Sequence, residues 1–145
     1  THLYLAVECD EPDMDALQAA VSERDGALWL DDSIEIMLDA DADRETYVQF
    51  ILNPTGAVYD GRGWDKSWDC AGLRSDVHRS EDAWRVRLAI PWQALAIEPP
   101  PAGHTLRMLF ARMRRTVSPA EHTQWPPTND HNHMPERFAP ITLVE

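Results

Sequence analysis

Residues 29–60 read WLDDSIEIMLDADADRETYVQFILNPTGAVYD, and the pattern of this stretch decides the fold. Ile34, Ile36 and Leu38 share one face of an extended segment, while Ser33, Glu35, Met37 and Asp39 share the other. Such alternation marks a strand with one face in a core. Asp39, Asp41 and Asp43 fill the turn that follows, with Arg44 and Glu45 behind them. Thr46 to Asn53 supplies β-branched and aromatic residues for a return strand, and Asn53-Pro54-Thr55-Gly56 turns the chain into a third. The rest of the chain reads as strands added around this hairpin.

Upstream, Leu3, Leu5, Val7 and Cys9 alternate along a strand over residues 2–9. Asp13 is a good N-cap for a short helix over residues 14–23, with Leu17, Ala20 and Val21 as its apolar stripe and Asp25-Gly26 as its end. Downstream, residues 60–72 are Gly-rich, polar and aromatic, and read as a loop. Leu73 to His78 is a short strand. In Ala83 to Ile90, Trp84, Val86, Leu88 and Ile90 alternate with Arg85, Arg87 and Ala89. Pro91 opens a helical turn that ends at Leu95. After the stiff connection Pro99-Pro100-Pro101, Thr105 to Arg114 is apolar on both faces and therefore central. Thr116 to Arg137, rich in Pro, His and Asn, reads as one long loop of the binding or disordered kind, before a last strand from Phe138 to Val144. Many strands, one or two short helices and no βαβ rhythm predict an all-β fold: an antiparallel β-sandwich, jelly-roll-like and immunoglobulin-sized.

The 145 residues suffice for a single domain, 1–145, and a 43% hydrophobic content with six Trp argues for a packed core over disorder. A net charge of −12 repels nucleic acid and anionic membrane surfaces and suits neutral ligands or cations. No apolar run reaches the length needed to insert in a membrane. The chain opens on Thr1-His2-Leu3-Tyr4, already inside a strand, so an excerpt of a longer polypeptide is expected. Cys9 and Cys70 match no zinc spacing; they read as two buried thiols, with a disulfide as the alternative.

Trp29, Trp64, Trp68 and Trp125 lie in or beside loops, unlike Trp84. A flat indole can stack on the C–H face of a sugar ring, or it can plug the end of a sandwich. Asp39, Asp41 and Asp43 recur at every second position, as the first ligands of a calcium loop do, although the glycine and the bidentate glutamate of an EF-hand are missing. A solvated acidic turn is the alternative. His122, His131 and His133 invite a metal reading that no spacing closes into a ligand set. Neither G-x-S-x-G nor H-E-x-x-H occurs, and no carboxylate is tied by spacing to a partner base, which disfavours an enzyme.

Four strings carry a resemblance: W-x-D-D-S-I-E-I-x-L-D from Trp29, Y-x-Q-F-x-x-N-P-x-G from Tyr47, W-x-V-x-L-A-I-P-W-x-A-L from Trp84, and P-E-R-F from Pro135. In this order, over most of the chain, the sequence resembles the family 9 carbohydrate-binding modules, sandwich domains of the wider DOMON-like group. Members begin with a further strand carrying D-G-x-x-D-x-x-W, which is absent here. The resemblance implies a non-catalytic domain that grips a mono- or oligosaccharide between aromatic rings, with carboxylate and amide groups on the hydroxyls and calcium in a structural role. It also implies a secreted, extracellular or periplasmic protein in polysaccharide degradation, with a covalently linked catalytic or anchoring domain. Trp29 falls where a platform tryptophan belongs, Glu35 on the solvent side of the next strand where a hydroxyl-binding carboxylate belongs, and Asn53 at a polar contact. Trp64, Trp68 and Trp125 are the further candidate ligand contacts. Ile51 stands in place of a sugar-contacting arginine, Ala111 in place of a glutamine, and His131-Asn132-His133 in place of the second platform tryptophan. Two rival functions remain: a structural or docking sandwich within a larger enzyme, and a haem-binding electron-transfer domain using Met108, Met113, Met134 or the late histidines as axial ligands.

Overall fold

The computed structural model describes residues 1–144. In chain order its strands are β1 (His2–Asp10), β2 (Ser33–Asp39), β3 (Val48–Leu52), β4 (Val58–Arg62), β5 (Arg74–Arg79), β6 (Ala83–Pro91), β7 (Thr105–Arg114), β8 (Glu121–Trp125) and β9 (Ala139–Thr142). They form two antiparallel sheets: a smaller one in the order β1-β6-β5, and a larger one in the order β4-β3-β2-β7. On the far edge of β7, β9 pairs with Thr105–Met108 and β8 with Phe110–Arg114.

The alternation read from the sequence builds the core. Ile34, Ile36 and Leu38 of β2 join Val48, Phe50 and Leu52 of β3 and Leu106 and Met108 of β7 on the inner face of the larger sheet. Facing them are Leu3, Cys9, Trp84, Val86, Leu88 and Ile90. Each side chain so buried contributes roughly 1.5–3 kcal/mol of transfer free energy.

At one end of the sandwich the sheets are tied by charge. Glu11, fully buried just past β1, accepts hydrogen bonds from Arg114 Nε at 2.7 Å and Nη2 at 2.9 Å, from Arg112 Nη2 at 3.2 Å and from the Thr116 hydroxyl at 2.8 Å. These donors hold its carboxyl down, at about 2, against the opposing effect of burial. Cys9 and Cys70 are free, buried thiols, and burial pushes each up to about 11.

Three expectations need correction. The helix over residues 14–23 is only a 3-10 turn, Met14–Ala16, and Asp13 makes no side-chain cap. Asp32 takes the backbone N–H of Gln18 at 2.7 Å, and Asp31 takes those of Ala20 and Val21 at 3.0 Å each. Those amides are thereby lost to a helix ladder, and all helical elements among the described residues are 3-10 turns. Second, the loop from Thr116 to Arg137 contains the edge strand β8, and β4 runs on through Asp60–Arg62. Third, the outward face of β2 is not open to water. Met37, Leu109 and Ala111 are roofed by Tyr47 and Phe138, while Ile51, Ala57 and Tyr59 pack with Leu28 and Val21. In register, Glu35 stands between a member of each cluster, Ala111 and Ile51.

The acidic hairpin turn forms as read. Ala42 and Arg44 adopt left-handed φ values of 59° and 65°. That strain is offset by Asp39, which accepts the N–H of Asp43 at 3.2 Å and of Arg44 at 2.9 Å, and by Asp43, which accepts those of Glu45 and Thr46 at 2.8 Å each. At the next turn Gly56 has φ 88°, a conformation a Cβ would strain.

Candidate functional site: a roofed cavity on the outer face of the larger sheet

Tyr59, Ile51, Glu35, Ala111 and Gln124 stand in one cross-strand row over β4, β3, β2, β7 and β8. Because side chains alternate along each strand, this row points away from the core. Above it lies a cavity of about 360 Å³, within the range of small-molecule sites. Trp29, Tyr59 and Trp64 give it aromatic walls; Glu35, Gln49 and Asn132 are its polar centre; Lys66, His122, His131 and His133 complete the lining with Ile51 and Gly63.

Each wall has a local cause. Trp29 sits in the 3-10 turn Leu28–Leu30, which the fully buried Leu28 fastens to the sheet. Its ring stays 44% exposed and meets Tyr59 edge-on, with centroids 5.9 Å apart. Trp64 lies in a tight turn after β4, closed by hydrogen bonds between the backbones of Arg62 and Asp65, and is 72% exposed. His133 stacks on it at 3.9 Å and 15° from parallel, and shares a 2.7 Å hydrogen bond with the Tyr47 hydroxyl. Burial and the neighbouring His131 lower the pKa of His133.

Glu35 is held from both sides. Gln49 Nε2 donates to Oε1 and Asn132 Nδ2 donates to Oε2, each at 2.5 Å. The network continues outward: Gln124 Nε2 donates to Asn132 Oδ1 at 2.6 Å, and Thr128 donates to Gln124 Oε1 through both its N–H and its hydroxyl at 3.0 Å. The chain from Thr128 to His133 is thus pinned to the sheet through Glu35 of β2 and Gln124 of β8, with Tyr47 holding His133. Burial raises the pKa of Glu35, and the two amide donors oppose that shift without cancelling it.

Of the residues singled out from sequence, Trp29, Glu35 and Trp64 are brought together here, with Ile51 and the His131–His133 segment. Ala111 lies beside Glu35, lining a small adjoining pocket with Met113 and His122. Asn53 is elsewhere and fully buried. Its Nδ2 donates to the Val21 carbonyl at 2.7 Å and to Asp31 Oδ2 at 2.9 Å, and its Oδ1 accepts from Thr55 and Ala57. Trp68 packs edge-on against Phe50 of the core and under the Arg62 guanidinium. Trp125, 52% exposed, lies near Phe110 at the sheet edge and off the cavity. Met108 is buried in the core, and Met113 and His122 are side-by-side neighbours across β7 and β8.

Asp39, Asp41 and Asp43 each bring a carboxylate oxygen within 4.8 Å of the others, as do Asp25, Asp60 and Asp69. In the second group the Arg24 guanidinium already contacts all three. Gln49, Tyr59 and Lys66 were not singled out from sequence. The alternation Tyr47-x-Gln49-x-Ile51 carries a signal for Gln49, whereas Tyr59 and Lys66 depend on how β4 pairs and where its loop returns.

No protein-family model and no curated protein matches the sequence. Solved structures do. A family 9 carbohydrate-binding module from Caldicellulosiruptor kristjanssonii in complex with cellotriose aligns with a TM-score of 0.75 and 18% identity, over 99% of this chain and 69% of that one. The same kind of module from that organism in complex with glucose aligns at 0.74 and 17%, over 98% and 70%. A protein named as a candidate carbohydrate-binding protein of Bacteroides uniformis aligns at 0.72 and 17%, over 98% and 72%. At these identities the likeness is one of architecture: the chain has the β-sandwich fold of the family 9 carbohydrate-binding modules.

Proposed function

We propose that the domain is a non-catalytic saccharide-binding module whose site is the cavity over Glu35. The observation that carries this reading is the pairing of two exposed indoles, Trp29 and Trp64, on one cavity with a carboxylate fixed by two amides. Indole faces can cover the C–H face of a pyranose, while the Glu35–Gln49–Asn132 group offers hydrogen bonds to its hydroxyls. Trp64 takes the part of a second platform from another loop, backed by His133, where the resemblance led one to expect a tryptophan in place of His131–His133. Support comes also from the fold, since two of the aligned modules were solved with glucose and cellotriose. Ile51 and Ala111 flank Glu35 without offering side-chain hydrogen bonds, so affinity should be modest. Asn53, whose amide is consumed inside the protein, is best read as holding the start of the Asn53–Gly56 turn.

The same proposal places the domain outside the cytoplasm, linked to a catalytic or anchoring domain that it keeps near polysaccharide. Calcium belongs to it as a structural ion at Asp39, Asp41 and Asp43. The donors are the hard oxygens calcium prefers, and clustered charge contributes, after burial, to raising the pKa of Asp39. Calcium titrated into chelator-treated protein should raise the melting temperature, and Asp41→Asn should remove the rise; an unchanged melting temperature would count against the ion. For the sugar site, isothermal titration against mono- and oligosaccharides should give saturable heat that Trp29→Ala abolishes.

A further inference from the structure

The charge of the cavity is at odds with that of the chain. The protein carries a net charge of −12 with its histidines neutral, yet its only lysine, Lys66, lines this cavity together with a single carboxylate, Glu35. That carboxylate has both oxygens bonded by the side-chain amides of Gln49 and Asn132, which turn it toward the protein. Asp65, next to Lys66 in the chain, is turned to the N–H and hydroxyl of Ser67.

The position of Lys66 sharpens the point. Its Nζ stands over the Trp29 ring, 5.6 Å from the centroid. A sugar stacked on that ring must lie beside the ammonium or displace it, and displacement gives up a cation–π contact. A neutral sugar returns only a hydrogen bond from the ammonium to a hydroxyl. A sugar bearing a carboxylate returns a charge-assisted hydrogen bond at the edge of the platform, where Lys66 is exposed. The polar centre Glu35–Gln49–Asn132 serves the hydroxyls of neutral and acidic sugars alike, which makes Lys66 the main source of discrimination between them.

From this placement, and resting on the saccharide-binding reading above, we infer that the cavity selects acidic sugars, with Lys66 as the specificity-determining residue for a uronate carboxylate. The test uses four probes titrated calorimetrically into the intact domain: glucose, D-glucuronate, D-galacturonate and the uncharged methyl ester of glucuronic acid. At least one uronate should bind about fivefold tighter than both glucose and the ester, the factor that corresponds to roughly 1 kcal/mol for one partly exposed ion pair. The advantage should shrink as sodium chloride is raised from low to physiological concentration and beyond. Lys66→Met, which keeps an unbranched apolar stem against Trp29, should bring uronate and glucose to the same affinity, with the thermal midpoint little changed. Equal binding of the charged and uncharged probes, or a uronate preference that survives Lys66→Met, would overturn the inference and leave the saccharide site standing. Absence of binding by all four probes and by cellotriose would overturn both.

Discussion

Asn132 donates a 2.5 Å hydrogen bond to Glu35, joining residues 97 positions apart and fastening a loop to the middle of a sheet. Its partner oxygen on the same carboxylate is taken by Gln49 at the same distance. Glu35 therefore has two tasks at one address: it presents polar atoms to the cavity, and it holds in place the loop that carries His131 and His133.

Replacing Glu35 by Gln puts an NH2 group where one of two amide donors now points. Stability should fall by about 1–3 kcal/mol, the usual cost of an unmet buried donor, as measured by urea unfolding at neutral pH. The pH dependence separates charge from geometry. The pKa of Glu35 is raised in the folded state, so its contribution is fullest at low pH and is lost as pH climbs from the ordinary 4.5 through the raised value. The gap between wild type and Glu35→Gln should narrow over that rise; a gap that widens would show a carboxylate stabilised by the fold.

His133 has the opposite slope. Its pKa is lowered, so the neutral ring's contribution is present above the ordinary 6.5 and is lost as pH falls through the lowered value. His133→Phe keeps a ring on Trp64 and removes the titration. Its melting temperature should be flatter than that of wild type between pH 7.5 and 5, and parallel curves would contradict this placement of His133.

The buried charge cluster sets the acid limit of the fold. The carboxyl of Glu11 is held at about 2, against 4.5 unperturbed, so its contribution is present above 4.5 and disappears as pH falls toward 2. Glu11→Gln leaves Arg112 and Arg114 without their shared carboxylate and should cost about 3 kcal/mol by calorimetric or urea unfolding near pH 7. A loss under about 1 kcal/mol would mean that the sheets are held at this end by packing alone.

The tryptophans divide by role. Trp84 is fully buried in the core, and its replacement by Ala should cost about 3–5 kcal/mol of stability. Trp29 and Trp64 are exposed on the cavity; their alanine variants should melt close to wild type while losing at least about tenfold in sugar affinity. Variants at Trp29 or Trp64 that unfold as readily as Trp84→Ala would reassign those rings to the scaffold.

The contrast between what could and could not be read from the sequence follows the range of the interactions. Strand positions are local: Ile34-x-Ile36-x-Leu38 and Trp84-x-Val86-x-Leu88 gave their faces away by alternation, and Thr105–Arg114 showed its central place by being apolar on both. The false helix over residues 14–23 had a good local pattern that lost to Asp31 and Asp32, 10 to 14 residues downstream, which capture its amides. The roof over Met37 and Glu35 was equally hidden, because Phe138 and Asn132 come from the far end of the chain. For the site, Trp29 and Glu35 were legible through a family pattern, whereas Tyr59 and Lys66 enter only once β4 is paired and the loop after it returns. Asn53 shows the reverse case: its position in the pattern pointed to a ligand, and its neighbours consume its amide.

The most direct measurement follows the indole N–H signals of all six tryptophans by two-dimensional NMR while glucose, cellotriose or glucuronate is added. Binding in the cavity should move the Trp29 and Trp64 signals saturably and together, with Trp84 and Trp92, both buried, unmoved. Signals that stay still with every sugar, or a response confined to Trp68 or Trp125, would contradict a saccharide site over Glu35.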